Sequence, residues 1–231
     1  MEHTGIKINK ELEQLIKEVI RVQLGAELTL TQLSALCMTD KVNMIHTGEY
    51  LNQLSVVKRI HAQKWIELLA VRGGQFRTEG IEIIVPVPCK EQLGNEQGKQ
   101  LKIVLDLAMC VEKRVTELVK KLHYVARMQH DSVVVEMVEA KNLPKQMEII
   151  RQLEAQLQTL CKQDVPEYLF EKLTIKPLVE NIKQRVHRQL AMQLMTPFGQ
   201  QQQQHQQMGL TGPIGQPIYQ AELLFPVKRM F

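Results

Sequence analysis

Apolar residues recur at three- and four-residue steps over four long stretches of this chain, the spacing that puts one stripe of an α-helix against a core. Leu12, Leu15, Ile16, Val19, Leu24, Leu28, Leu33 and Leu36 predict a first helix over 11–36. Thr39 and Asp40 are break-and-cap residues, and a second helix is expected over 41–71, with Leu51, Leu54, His61, Trp65 and Leu68 on one stripe. Gly73-Gly74 ends it. A third helix is predicted over 99–128 through Leu101, Leu105, Ala108, Val111, Val115, Leu118, Leu122 and Val125. A fourth, over 131–163, runs through Val135, Val138, Leu143, Ile150, Leu153, Leu157 and Leu160. Pro144 falls inside it and should kink or divide it, because proline lacks the amide proton and clashes with the preceding turn.

Between the second and third helices the period changes. Ile81-Glu82-Ile83-Ile84-Val85-Pro86-Val87-Pro88 is β-branched and punctuated by proline, so residues 75–98 are expected to be extended and non-helical. A helix of ~30 residues is ~45 Å long, and ~25 extended residues reach up to roughly 80 Å. The connection can therefore travel the length of a bundle and leave the helices on either side parallel. The fold class that follows is all-α, a four-helix bundle with one long crossover.

Beyond Pro166 the sequence predicts a short amphipathic helix over 167–174, ended by Pro177, and a further helix over 178–195. The unbroken run Gln200 to Gln204 and the Gly/Pro-rich stretch after it are compositionally disordered, and an apolar tail closes the chain. Three parts follow: an N-terminal tail (1–10), a bundle with its short fifth helix (11–175), and a C-terminal extension (176–231).

Composition alters this picture little. Of the 231 residues 44% are hydrophobic but only 4% aromatic, so the core should be aliphatic. The net charge of +4 comes without a concentrated basic block and gives no argument for nucleic acid or membrane as a partner. Cys37, Cys89, Cys110 and Cys161 lie far apart, which disfavours a zinc site and fits buried thiols in a reducing compartment. No signal-like or transit-like pattern opens the sequence and no run nears the ~18 apolar residues of a membrane span. A cytoplasmic location is the expectation.

The stretch from Val57 to Gly74 carries the chemical question. Lys58 and His61 share a helix face at i, i+3, where a carboxylate-bridged di-iron bundle would place a Glu-x-x-His pair pointing into its core. No Glu-x-x-His occurs anywhere in the chain.

Taken together, His61-Ala62-Gln63-Lys64 through Arg72-Gly73-Gly74, Glu112-Lys113 with Val115, Leu118 and His123, the set Glu139, Leu143, Gln146, Ile150 and Leu153, and Glu167-Tyr168-Leu169-Phe170-Glu171-Lys172 resemble the successive helices of the ferritin family. The resemblance covers roughly residues 10–175. It implies a shell of twenty-four subunits that stores iron, with oxidation inside the bundles of catalytic-type subunits. Carried over to this sequence, Glu27, His61, Glu112 and Gln146 match the family's iron ligands. Ser34 stands where a tyrosine is usual, Val57 replaces an acidic neighbour, and Lys58 replaces the bridging glutamate. Glu136 and Glu139 match acids of the family's three-fold channel and could guide cations.

Paired ferrous ions need anionic oxygen ligands, whereas an ammonium repels them and makes no coordinate bond while protonated. Lys58 is therefore expected to form an internal ion pair with Glu27 or Glu112, with His61 a packed core histidine and iron weakly bound or absent. The segment Tyr50 to Val57 also lacks the acids with which the family's light-type subunits nucleate mineral on the cavity face. The expected role is a non-catalytic structural or iron-storage subunit. It would form its own shell or co-assemble with a catalytic ferritin subunit, the extension being free to bind a protein partner. Two rivals remain: a ferritin-fold interaction protein that builds no cage, and a ferroxidase with a rebuilt site.

Overall fold

In the computed structural model, which describes residues 8–96, 98–162 and 165–184, the chain is helical and contains no strand among the described residues. The glutamine run, the apolar tail, His187, His205 and the far half of the expected 178–195 helix lie outside them. Helix α1 (Lys10–Cys37) and helix α2 (Ile45–Val71) form an antiparallel hairpin. Asn9 caps α1 by accepting the Glu11 amide at 3.0 Å. The second helix begins four residues later than expected. Asn43 turns the chain in the left-handed region (φ 50°), a conformation asparagine tolerates, and α2 starts only after it.

The crossover leads through a six-residue helix, α3 (Lys90–Asn95), to helix α4 (Gln100–Met128). The extended reading held for the proline-rich part but missed α3, whose start is fixed by the Gln92 side chain accepting the Cys89 amide at 3.0 Å. The crossover is pinned to one seam of α1, residues 21, 25 and 29, each one turn from the last. Arg21 Nε donates to the Glu79 carbonyl (3.2 Å), Gly25 lies under the Glu82 carbonyl, and Thr29 Oγ1 accepts the Ile84 amide (2.9 Å). The two helices it joins run parallel. Arg72 at the end of α2 reaches Asp131 just beyond α4 (2.6 Å), and Gln129 at the end of α4 reaches Glu11 at the start of α1 (2.9 Å). Gly73, at φ 78°, ends α2 in the left-handed conformation that glycine adopts without penalty.

The fourth bundle helix is divided as its proline requires. Helix α5 (Ser132–Glu136) passes through a π-helical segment (Met137–Asn142) into helix α6 (Leu143–Lys162). The wider π turn lies just ahead of Pro144, where an α-helical carbonyl would meet the ring. The same device recurs at the C-terminus. Helix α7 (Glu167–Phe170) passes through a second π-helical segment (Glu171–Ile175), and Pro177 follows at the same two-residue offset. Pro177 consequently does not end the helix as the sequence reading expected. Helical structure continues to residue 184, and Ile175, Val179 and Ile182 are buried in the core. The boundary drawn at residue 175 thus falls inside a helix packed on the bundle.

This C-terminal helix supplies caps that α2 and α4 lack locally. Neither Met44 nor Lys99 has a side chain that bonds its own helix start. Glu171, itself buried, accepts the Thr47 amide (3.0 Å) and the Thr47 hydroxyl (3.3 Å). Glu167 accepts the amides of Leu101 and Lys102, each at 3.0 Å. A carboxylate at a helix start satisfies otherwise orphaned amides and opposes the positive end of the dipole, worth about 1 kcal/mol per cap. Lys183 adds an ion pair to Glu49 (2.8 Å).

The core is aliphatic as expected, with Trp65 and Tyr50 its largest buried aromatic side chains. The cysteines differ from expectation. Only Cys37 is buried, its thiol pushed up to about 12 chiefly by desolvation and secondarily by the Glu171 carboxylate, while Cys89, Cys110 and Cys161 are exposed.

Candidate metal centre

Three helices bring Lys58 (α2), Glu112 (α4) and Gln146 (α6) together in the middle of the bundle. Each shares its helix's apolar stripe, which is why residues so polar are buried: Lys58 and Glu112 are both 0% exposed. Lys58 Nζ donates to Glu112 Oε2 (2.5 Å) and to Gln146 Oε1 (2.9 Å). Gln146 Nε2 in turn donates to Glu112 Oε2 and to the Glu112 backbone carbonyl, the latter at 3.0 Å. The three side chains close a ring in which each bonds the other two. Glu112 Oε1 has no partner in this structure.

Of the two partners expected for Lys58, the structure selects Glu112. Glu27 goes elsewhere: its Oε1 accepts from Arg59 Nε (2.6 Å) and Nη2 (2.5 Å) near the surface. The reason is geometric, since Arg59 follows Lys58 by one residue and so faces about 100° away from it around α2. His61 lies buried one turn from Lys58, with Nδ1 unpartnered. Its pKa is held well below the ordinary imidazole range, first by desolvation and then by the charges of Lys58, Lys145 and Lys64, so the ring is neutral at neutral pH.

This has a measurable sign. The unfolded histidine takes up a proton near pH 6.5 while the native one does not, so stability is lost as pH falls through that value toward the lowered native one. The slope should approach about 1.4 kcal/mol per pH unit. Urea unfolding at pH 7.5 and 5.5 should show a loss in the parent chain that His61→Gln reduces. Equal losses in both chains would show that other groups carry the acid sensitivity.

The remaining sequence candidates do not join the ring. Ser34 is buried but donates to the Gly48 carbonyl (2.7 Å), ten residues before Lys58 on α2, or ~15 Å along the helix. There it seats a close α1–α2 approach. Val57 is packed in the core. Glu136 is exposed, and Glu139 bonds His123 Nε2 (2.7 Å). Sequence reasoning missed Tyr50. It is fully buried, and its pKa is raised first by desolvation and then by the Glu112 carboxylate, against a lowering by Gln156 beside its hydroxyl, which places it in the electrostatic reach of the ring. Its apolar flanks, Leu51 and Leu54, were the only signal that this position faces inward.

The donor set does not fit a pair of ferrous ions. The lysine nitrogen occupies one carboxylate oxygen and the glutamine oxygen, and Glu27 is held by Arg59. Among the described residues no three His, Cys, Asp or Glu side chains are grouped to hold a metal ion.

Fold and site together define an all-α bundle with a lysine, a glutamate and a glutamine bonded to one another in its core. The family model for the ferritin-like domain matches residues 13–162, and the chain belongs to the ferritin family. It is 26% identical to the bovine (Bos taurus) ferritin light chain over 171 residues, covering 72% of this chain and 93% of that protein. It is 26% identical to a ferritin middle subunit of Salmo salar over 170 residues (71% and 92%). A chloroplastic ferritin of Arabidopsis thaliana, ferritin-2, is 28% identical over 159 residues (68% and 61%). Family membership makes this a ferritin subunit of the iron-storage type, and ferritins in general associate with iron and assemble as oligomers. Among the described residues no helix is long and apolar enough to cross a membrane.

Proposed function

We propose that this chain is a ferritin subunit without ferroxidase activity, serving a structural and storage role in a shell made of its own copies or shared with a catalytic subunit. One observation carries the reading: the Lys58 nitrogen sits between Glu112 and Gln146, where an iron-oxidising subunit would hold metal. A fixed cation there repels ferrous ion and occupies the oxygens that would bind it. The similarity to the bovine ferritin light chain agrees with this role.

Stopped-flow oxidation of Fe²⁺ by the purified chain should follow the uncatalysed rate. A burst well above that rate would establish the rebuilt-site reading instead. In Lys58→Glu, iron binding measured by titration should rise, because Glu112 and Gln146 already meet this position and His61 lies buried one turn away. No rise would locate the loss of the site in Glu27, Ser34 or Val57 as well as in Lys58.

A further inference from the structure

Five cations within fifteen residues of α4 face solvent together. On the solvent side of α4 stand Lys113, Arg114, Lys120, Lys121 and Arg127, all exposed. Several cations elsewhere have partners: Lys17 meets Glu13, Arg59 meets Glu27, Arg151 meets Glu148 and Lys183 meets Glu49. On this ridge only Arg114 does, at 3.7 Å from Glu117, while no ion pair joins Lys113, Lys120, Lys121 or Arg127 to a carboxylate among the described residues. Glu117 is the one acid exposed on α4 between Lys113 and Arg127, Glu18 and Glu82 line the cleft beside Arg114, and nearby Glu139 is engaged by His123.

Helix geometry arranges these charges. Lys113, Lys120 and Arg127 follow one another every seven residues, so they form a line with steps of about 10 Å. Arg114 and Lys121 form a second line beside it. Between the lines Tyr124 presents its ring, 66% exposed, and it is the only apolar side chain exposed between Lys113 and Arg127.

We propose that this ridge binds single-stranded nucleic acid, with phosphates along the two cation lines and a base stacked on Tyr124. A convex ridge cannot enclose a strand, but regularly spaced cations around an aromatic platform are what backbone tracking and base stacking require. An acidic peptide would use the charges and leave the ring without a role, and an anionic bilayer would not favour the regular spacing of the cation lines over any other arrangement of the same charge.

Fluorescence anisotropy of a labelled thirty-nucleotide oligothymidylate with the full chain tests this. Five phosphate contacts imply a log–log salt slope of about −3.5, so a threefold rise in salt should weaken binding roughly 50-fold. K120E/K121E should weaken it at least about tenfold, and Tyr124→Ser about fivefold with the salt slope unchanged. K141E/K162E, which changes net charge equally on other exposed lysines, should bind as the parent does. The proposal is overturned if K120E/K121E binds like the parent, or if K141E/K162E weakens binding as much. It is also overturned if Tyr124→Ser is silent while polyphosphate or phosphatidylserine vesicles bind as tightly as the oligonucleotide.

Discussion

Replacing Lys58 by alanine is expected to cost about 3–5 kcal/mol of stability, because it strands the buried Glu112 carboxylate without its cation. Glu112 would keep only Gln146 as a side-chain partner, and its Oε1 is already unpaired. The double variant Lys58→Met, Glu112→Leu should recover most of that loss, since a buried ion pair is often replaceable by apolar groups of similar volume. Chemical unfolding of the three chains measures both quantities. A single variant as stable as the parent would mean that Glu112 needs no cation beside it in the core, and the ring would lose its standing as an ion pair. The comparison also separates structure from chemistry: the double variant removes the lysine and Glu112 without adding any ligand, so it should bind Fe²⁺ no better than the parent.

Gly25→Ala should also destabilise the chain, by less, although it adds only one methyl group. A Cβ at Gly25 would fall on the Glu82 backbone carbonyl, which cannot rotate away as a side chain could. The crossover must lift from α1, and it would take with it the bonds from Ile84 to Thr29 and from Arg21 to the Glu79 carbonyl. Overpacking of this kind typically costs 1–3 kcal/mol, to which the lost hydrogen bonds add about 1 kcal/mol each, and alanine's helix propensity of about 1 kcal/mol over glycine offsets part of the sum. Hydrogen exchange should report faster exchange at residues 79–85 with α4 and α6 unchanged. Unaltered protection of the Ile84 amide in Gly25→Ala would show that the seam is looser than the structure has it.

The four long helices, the direction of α4 relative to α2 and the placement of Lys58 in the core could all be read from periodicity and length. These are properties of stripes, and a stripe is visible in sequence. What escaped reading was contact between parts far apart in the chain. Lys58 had two candidate carboxylates, and the choice of Glu112 over Glu27 depended on Arg59, an exposed neighbour that looked like ordinary surface. Ser34 looked like a degenerate ligand, yet it bonds Gly48 and serves helix packing. Pro177 carried the strongest stop signal in the C-terminal region, and a π turn upstream cancelled it. The three exposed cysteines follow the same logic, since a lone cysteine at the margin of a helical stripe does not declare its side.

The caps delivered by Glu167 and Glu171 bear on the order in which the molecule can be completed. During synthesis α2 and α4 leave the ribosome with their first amides unpartnered, and more than a hundred residues separate Thr47 from the carboxylate that will receive it. The bundle is therefore closed from its last-made end. Until that closing helix arrives, the starts of α2 and α4 are held by water, and the nascent protein has four helices but two unfinished ends.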